Sequence, residues 1–219
     1  MINEYMEAVT EARNMEELWA MHTAKMAGFG FDRLIYGFTR YLTPTSLGNP
    51  QDMIILSNHE TDYLEHFISE GLYFNAPMVN WSRDNEGAAG YTISLKAISA
   101  RSKAAIALTA KKVVSQYEID QVWAEHGRDS ILMNNVAQLK IISLPHHGRR
   151  SLTKRQVEVL EWVGDGKTTQ DFATLMGLTS ATVEKHLRLA REALDVETTA
   201  QAVTKAAFQN QMYIVEPTT

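Results

Sequence analysis

The sequence contains no cysteine, which excludes disulfide bonds, thiolate metal sites and a cysteine nucleophile. It has no uncharged apolar run of about 18 residues, the length that a membrane-crossing helix requires. Its first residues are acidic, and no positively charged start precedes an apolar stretch, so the pattern is not that of a signal peptide. We therefore expect a soluble, cytoplasmic protein that makes no membrane contact.

Positive charge is also scarce. Lysine and arginine together number 21 against 26 aspartates and glutamates, which gives a net charge of −5. The segment 151–219 follows the same trend, with seven basic and nine acidic side chains. This balance argues against a protein that coats nucleic acid through bulk charge. Any contact with DNA must depend on where a few basic residues stand.

The patterns of common catalytic and metal sites are missing as well. There is no phosphate-binding loop, no nucleophile-elbow serine and no HExxH helix. His146 and His147 are adjacent, but no third ligand lies nearby, so we assign this pair to a linker. His59, Asp62 and His66 are close in sequence, and we do not assign them to a metal site. We expect no enzyme activity, no cofactor and no bound metal.

The first 144 residues alternate between helix and strand signals. The predicted order is a helix over 2–26, strands over 31–42 and 52–58, a helix over 60–74, strands over 91–98 and 103–110, and a helix over 116–142. The short connection between the last two strands is typical of a hairpin. This order predicts an α/β/α sandwich around a small antiparallel sheet, and hence an α+β protein.

The helix over 116–142 is the longest predicted element. Its apolar stripe consists of Ile119, Val122, Trp123, Ile131, Leu132, Val136 and Leu139. We expect an interruption near Gly127. The acids Glu118, Asp120, Glu125 and Asp129 are predicted to form its solvated face. The stripe, notably Trp123, is our candidate for part of a dimer contact.

A Pro- and Gly-containing linker at 145–150 separates this domain from an all-helical segment, 151–219. Four helices are predicted, capped by Ser151 or Thr153, by Thr168 or Thr169, and by Thr179 or Ser180 for the third. The residues expected to face inward are Val157, Leu160, Val163, Phe172, Ala173, Met176, Val183, Leu187, Leu194, Ala202, Val203, Ala206 and Phe208. The second and third helices are joined through Gly177, the arrangement of a helix-turn-helix unit.

The third of these helices has a surface that fits a DNA major groove. Lys185, Arg188 and Arg191 recur every three residues. Small polar residues at its start, Thr179, Ser180 and Thr182, can bring backbone N–H groups to phosphates. A solvated helix face would show the same charges, so this pattern alone does not establish DNA binding.

The order and spacing of the residues in this segment resemble the C-terminal domain of the LuxR family. The matching positions are Leu152, Thr153, Arg155, Glu158, Val159, Leu160, Gly166, Lys167, Thr168, Asp171, Phe172, Ala173, Leu178, Thr179, Thr182, Val183 and His186. Gln156 stands where the family commonly has glutamate. The resemblance implies DNA binding, with Thr182, Lys185, His186 and Arg188 as groove contacts; Thr179, Ser180 and Arg191 complete our predicted interface.

The preceding domain resembles the acyl-homoserine-lactone-binding domain of quorum-sensing LuxR regulators. In the stretch that ends at Pro77, Tyr63 and Phe67 keep the aromatic wall of the family pocket. Ala76 replaces the aspartate that accepts a hydrogen bond from the ligand amide, and Asn75 or Asn80 is a candidate substitute. The ligand-binding residues that the resemblance implies are Tyr63, Phe67, Asn75, Ala76, Trp81 and Tyr91.

Two functional interpretations remain open from the sequence. In the first, a homodimer reads a palindromic operator under the control of a small amphipathic ligand such as an acyl-homoserine lactone, with RNA polymerase as a further candidate partner. In the second, the loss of the aspartate at Ala76 marks a ligand-independent protein that sequesters a related regulator as a heterodimer. The aromatic residues would then form an ordinary hydrophobic core.

Overall fold

The computed structural model describes residues 2–40, 53–60, 89–96, 99, 102–111, 113–146 and 151–213. The chain divides into two compact units, residues 1–142 and 143–219. The first contains helices and a sheet, and the regular elements in the described part of the second are all helices. This confirms the predicted α+β class with an all-α C-terminal part. The helix predicted over 60–74 falls almost wholly outside the described residues.

Two helices, not one, form the amino-terminal segment. Helix α1 spans Ile2–Glu11 and α2 spans Met15–Ala27. The prediction of a single helix over 2–26 is wrong because Asn14 is extended and its side chain accepts a hydrogen bond from the backbone N–H of Glu17. An asparagine in this position starts a new helix by satisfying one of its first N–H groups.

The sheet has four antiparallel strands in the order β2-β1-β4-β3. Their bounds are Phe31–Arg40 for β1, Ile54–Ser57 for β2, Gly90–Ser94 for β3 and Ser102–Ala110 for β4. All four lie within or next to the predicted strands, and β3 and β4 pair as the expected hairpin. The central pair β1 and β4 is in register at Leu34 with Leu108 and at Gly37 with Ala105.

One face of the sheet packs against the helices. Paired residues of an antiparallel sheet point to the same side, so Leu34, Leu108 and Tyr91 share a face. Tyr91 stacks on Trp123 of the following helix, with ring centroids 4.1 Å apart. Leu34 and Leu108 are completely buried. This face therefore forms the core of the first unit.

Helix α3 spans Gln116–Ser143 without the interruption predicted near Gly127. Gly127 is buried, and a Cβ atom there would lie 2.9 Å from the Trp123 ring. The glycine lets that indole pack against its own helix. Trp123 also contacts Phe31 edge-on, so its side chain is part of the unit's interior packing and the prediction that it lies in a dimer contact gains no support.

The predicted apolar stripe of α3 is only partly buried. Ile131, Leu132 and Leu139 are 43%, 50% and 58% exposed. Of the predicted stripe only Ile119 is fully buried, and the other buried positions of the helix are Gly127, Ser130, Met133, Asn134, Ala137, Gln138 and Ile141. Two of the polar residues among them have partners for their amide N–H groups: Asn134 donates to the Ser130 carbonyl at 2.7 Å, and Gln138 donates to the Lys96 carbonyl at 2.9 Å.

The second unit contains four helices in the described residues. They are α4 (Lys154–Gly164), α5 (Thr169–Leu175), α6 (Ser180–Leu194) and α7 (Thr199–Phe208). Their common core consists of Val159, Leu160, Phe172, Ala173, Val183, Leu187, Ala190, Leu194, Ala202, Ala206 and Met212. Most residues predicted to face inward belong to it or pack against it. Phe208 does not, because it lies at the end of α7 and is 53% exposed. Val157 is only partly buried.

Candidate DNA-binding surface and sensor sheet

Thr179 determines where helix α6 begins. Its backbone is extended, and its hydroxyl accepts a hydrogen bond from the Thr182 N–H at 3.2 Å. The Thr179 and Thr182 hydroxyls are also 2.9 Å apart. The first N–H groups of a helix have no acceptor within it, so those of Ser180 and Ala181 point out of the exposed start of the helix. A start of this kind favours a phosphate.

Helix α6 buries one side and leaves the opposite side to solvent. Val183, Leu187, Ala190 and Leu194 are buried in the core, at the spacing of one helical face. Lys185 and Arg188 are exposed and lie on the opposite side. The structure therefore brings these two predicted DNA-binding residues together, one turn apart. Arg188 also pairs with Glu192, with Nη1 and Oε1 2.5 Å apart.

The remaining predicted DNA-binding residues lie on the flanks of α6. Thr182 and His186 are half-buried on one flank, four residues apart. Arg191 lies on the other flank, where its guanidinium donates to the Thr199 hydroxyl at 2.9 Å. The three basic residues thus do not form one row: Arg191 is turned toward the start of α7.

Two contacts set the position of α6 against α5. Gly177 has a φ of 65°, a left-handed conformation that suits glycine in a tight turn between helices. At the start of α5, Thr168 caps the helix in a reciprocal capping box with Asp171. The neighbouring Thr169 hydroxyl donates to Glu184 of α6 at 3.3 Å. The turn at Gly177 and the Thr169–Glu184 hydrogen bond join the two helices into a helix-turn-helix unit.

Five of the six predicted ligand-binding residues, Tyr63, Phe67, Asn75, Ala76 and Trp81, lie outside the described residues. The sixth, Tyr91, is engaged by α3. Its ring stacks on Trp123, and its hydroxyl donates to Asp120 at 2.7 Å. This hydrogen bond raises the pKa of Tyr91. Its contacts in the structure are thus those of sheet-to-helix packing.

The second face of the sheet carries small side chains at its centre. Gly37 pairs with Ala105 on β4 and with Ile55 on β2, while Ala107 pairs with Ile35 and with Thr92. No described atom lies within 4 Å of a Cβ built on Gly37. Glycine inside a strand often marks a place where a ligand or another backbone approaches closely. Among the described residues, space is therefore left above the middle of this face.

One end of the same face is polar. Thr109 is 1% exposed, and no described group forms a hydrogen bond with its hydroxyl. Arg33 is directly opposite Thr109, and its guanidinium donates to the Ala110 carbonyl at 2.9 Å. A buried hydroxyl without a partner is costly, so Thr109 is well placed to receive a polar group. Neither Gly37 nor Thr109 was predicted as a site residue, although a glycine within a strand is a usable signal in the sequence.

Comparison with known protein families identifies both parts of the chain. Residues 14–89 match the autoinducer binding domain, and residues 150–206 match the LuxR family of bacterial regulatory proteins. Together the two matches cover more than half of the chain. The protein is a LuxR-type transcription regulator with an autoinducer-binding domain, and so belongs to a class of regulators, not of enzymes.

The chain is similar to several proteins that are named as regulators. The chain is 23% identical over 228 residues to the transcriptional activator protein AnoR of Acinetobacter nosocomialis, covering 90% of this chain and 92% of AnoR. It is 37% identical over 71 residues to the quorum sensing-dependent transcriptional regulator RpaR of Rhodopseudomonas palustris. That match spans 32% of this chain and only 29% of RpaR. The crystal structure of Escherichia coli SdiA is 13% identical, with a TM-score of 0.45 and coverage of 95% of this chain and 96% of SdiA.

None of the described helices is both long enough and apolar enough to cross a membrane.

Proposed function

We propose that this protein is a ligand-controlled regulator that binds a palindromic DNA operator as a homodimer. The observation that carries the proposal is the outward side of α6, where Lys185 and Arg188 are exposed one turn apart beside an uncovered helix start. The family match supports DNA reading by this helix. The placement of two basic residues compensates for the lack of net positive charge in the domain.

Each residue of the proposed interface has its own role. Lys185 and Arg188 enter the major groove, where a guanidinium or an ammonium binds guanine well. Thr182 and His186, on one flank of α6, contact the edge of the major groove. Thr179 and Ser180 present the helix start to a phosphate. Arg191, held by Thr199 in the free protein, reaches the DNA backbone only if it leaves that contact.

The ligand is proposed to be small and amphipathic, with an acyl-homoserine lactone as the leading candidate. Its alkyl chain would cross the sheet above Gly37 and Ala105, where side chains are small. Its polar group would lie toward Thr109, whose hydroxyl is buried without a described partner. The two ends are four residues apart on β4, about 13 Å in an extended strand.

The residues that we propose for the opposite wall of the pocket follow from the family resemblance. We propose Tyr63 and Phe67 as its aromatic part, with Trp81, and Asn75 as the acceptor that replaces the family aspartate at Ala76. Tyr91 is a weaker candidate because Trp123 and Asp120 already occupy its ring and hydroxyl.

Dimerisation is proposed through helix α3. Ile131, Leu132 and Leu139 present an exposed apolar strip in a region where the rest of the helix is packed. A second copy of the chain would cover this strip by two-fold symmetry, and two copies of α6 would then meet two half-sites of a palindrome.

We further propose domain limits of 1–144 and 151–219 with a linker at 145–150, and RNA polymerase as a candidate partner. Sequestration of a related regulator is not favoured, because the relatives that match are named transcription regulators.

Two measurements test this function. In the first, the purified protein is used to select binding sites from random-sequence duplex DNA. Recovery of a palindrome supports a homodimeric reader, and failure to enrich any sequence contradicts it.

In the second, native mass spectrometry compares protein made in its own host with protein made in a host that lacks lactone signals. A stoichiometric small molecule found only with the native host supports ligand control, whereas an empty protein from both hosts contradicts it.

A further inference from the structure

Five residues after helix α7, Gln209–Tyr213, fold back over their own domain. They extend beyond the part of the chain that matches the LuxR family, residues 150–206. Gln209, Gln211 and Met212 are each no more than 6% exposed, although this segment belongs to no helix or strand. We call residues 209–213 the clasp.

The clasp binds the chain on both sides of the interdomain linker. The carbonyl of Gln209 accepts a hydrogen bond from the His146 N–H at 3.0 Å. The Asn210 side chain donates to the Leu144 carbonyl at 3.1 Å. Beyond the linker, the Leu152 N–H donates to the Gln211 side-chain oxygen at 3.1 Å. Backbone groups at Leu144 and His146, near the start of the linker, and at Leu152, just after it, are thus held by three consecutive clasp residues.

The clasp is itself fixed in place by polar contacts and by packing. The Gln211 amide donates to the Gln209 side-chain oxygen at 2.6 Å, so the two buried glutamines satisfy each other. Met212 enters the hydrophobic core. The Tyr213 N–H donates to the Glu161 carboxylate at 2.6 Å on α4. Asn210 and Tyr213 have φ values of 50° and 58°, a left-handed conformation that asparagine adopts readily but that is uncommon for tyrosine.

We infer that the clasp is a conformational device that fixes both ends of the linker on the DNA-binding domain, and that opening it loosens the coupling between the two domains. The reason is geometric: a chain that is hydrogen-bonded to the reader at Leu144 and His146 on one side of the linker and at Leu152 on the other cannot change direction freely at these points. Each of these three hydrogen bonds uses a backbone group of Leu144, His146 or Leu152, so the device does not depend on the side chains of these residues. The consequence for DNA spacing rests on the proposed homodimer, but the contacts themselves do not.

The contacts are tested first by amide hydrogen exchange on the full-length protein. The variant Asn210→Gly with Gln211→Met keeps the left-handed backbone and the approximate side-chain volume, but removes the bonds to Leu144 and Leu152. We expect the Leu152 amide to exchange about tenfold faster than in the wild type, while amides in the middle of α6 stay unchanged. Tyr213→Phe is the matched control, because it alters the clasp without touching the linker. Unchanged exchange at Leu152 in the double variant overturns the inference, as does equal loss of protection throughout α6.

The consequence is tested with operators whose half-sites are moved apart by inserted base pairs. Wild-type protein is expected to bind one spacing and to lose about tenfold or more in affinity on the others. The double variant is expected to bind the best spacing as before and to show a smaller loss on the others. An identical spacing preference in the two proteins overturns the coupling role. Failure of both proteins to bind any operator would count against the proposed function and leave the hydrogen-exchange result as the test of the clasp.

Discussion

The Nε2 atom of His22 lies 3.0 Å from the Oδ1 atom of Asn134, 112 positions along the chain, and both side chains are buried. The amide N–H groups of Asn134 donate to the Ser130 carbonyl and to the Met26 sulfur. The Asn134 oxygen therefore accepts a hydrogen bond from the Nε2–H of His22. The other ring nitrogen, Nδ1, then accepts from the Tyr5 hydroxyl at 2.6 Å. One neutral histidine thereby joins helices α1, α2 and α3 in a satisfied network.

Replacing Asn134 by leucine should therefore destabilise the sensor domain. The substitution keeps the volume but leaves the buried His22 N–H without an acceptor, at a cost of about 1–3 kcal/mol. Urea unfolding followed by circular dichroism measures the change. Asn135→Leu, at the next position, is the control: Asn135 is only half-buried, so a smaller effect is expected. Equal effects of the two substitutions would contradict the role assigned to the network.

The same histidine predicts loss of stability in mild acid. Burial lowers the pKa of His22 to about 4, below its usual 6.5. The unfolded chain therefore takes up a proton at this position before the folded chain does, and stability falls as the pH drops from about 6.5 to about 4. His22→Gln can keep both hydrogen bonds and does not titrate. We expect the free energy of unfolding of this variant to depend less on pH within that window; parallel curves for the two proteins would show that His22 is not responsible.

Gly37→Val should block ligand binding without harming the sheet. Valine suits a strand, and no described atom lies within 4 Å of the added Cβ. The new methyl groups would occupy space that the proposed alkyl chain needs. We expect the amount of co-purified small molecule to fall about tenfold or more, with unchanged thermal unfolding. Ser94→Val, an exposed position on the edge strand of the same face, is the control. Full ligand occupancy in Gly37→Val would show that the ligand does not bind above Gly37.

Two charged substitutions on α3 test the dimer contact. Leu132 and Leu139 are two helical turns apart, 50% and 58% exposed, and lie on one side of the helix. Leu132→Glu with Leu139→Glu should convert the dimer to a monomer at micromolar concentration in sedimentation experiments, because like charges would face each other across the two-fold axis. Tyr117→Glu, which alters a 73% exposed residue near the start of the same helix, should remain dimeric. A dimeric double variant would rule out this strip.

The C-terminal helices could be predicted closely from sequence because their signals are local. Thr153, Thr168 and Thr179 each cap a helix by accepting a hydrogen bond from a backbone N–H three residues further on, and all three were candidate caps. Gly177 marks the turn between α5 and α6 through its own backbone requirement. Such features need no knowledge of distant parts of the chain.

The inward face of α3 could not be predicted in the same way. Asn134 and Gln138 are buried because their partners, His22 and the Lys96 carbonyl, come from distant segments. Leu132 and Leu139 look like core residues by periodicity and yet are exposed. Periodicity measures apolar character only, so it assigns the wrong side of a helix when the buried side carries polar residues that bond to distant segments. The early helix break, by contrast, had a local signal in Asn14 and Glu17 that a search for caps would have found.

The most direct test of DNA reading by α6 compares specific with non-specific DNA binding. Fluorescence anisotropy measures the affinity for the selected operator and for a scrambled duplex at the same salt concentration. Lys185→Ala with Arg188→Ala is compared with Arg155→Ala with Lys205→Ala, which removes the same two charges from α4 and α7 of the same domain. If α6 reads the operator, the first pair lowers the operator-to-scrambled affinity ratio by about tenfold or more, and the second leaves it near the wild-type value. If both pairs weaken the two duplexes equally and the ratio does not change, the contribution of these residues is bulk charge alone and the assignment of α6 as the reader is wrong.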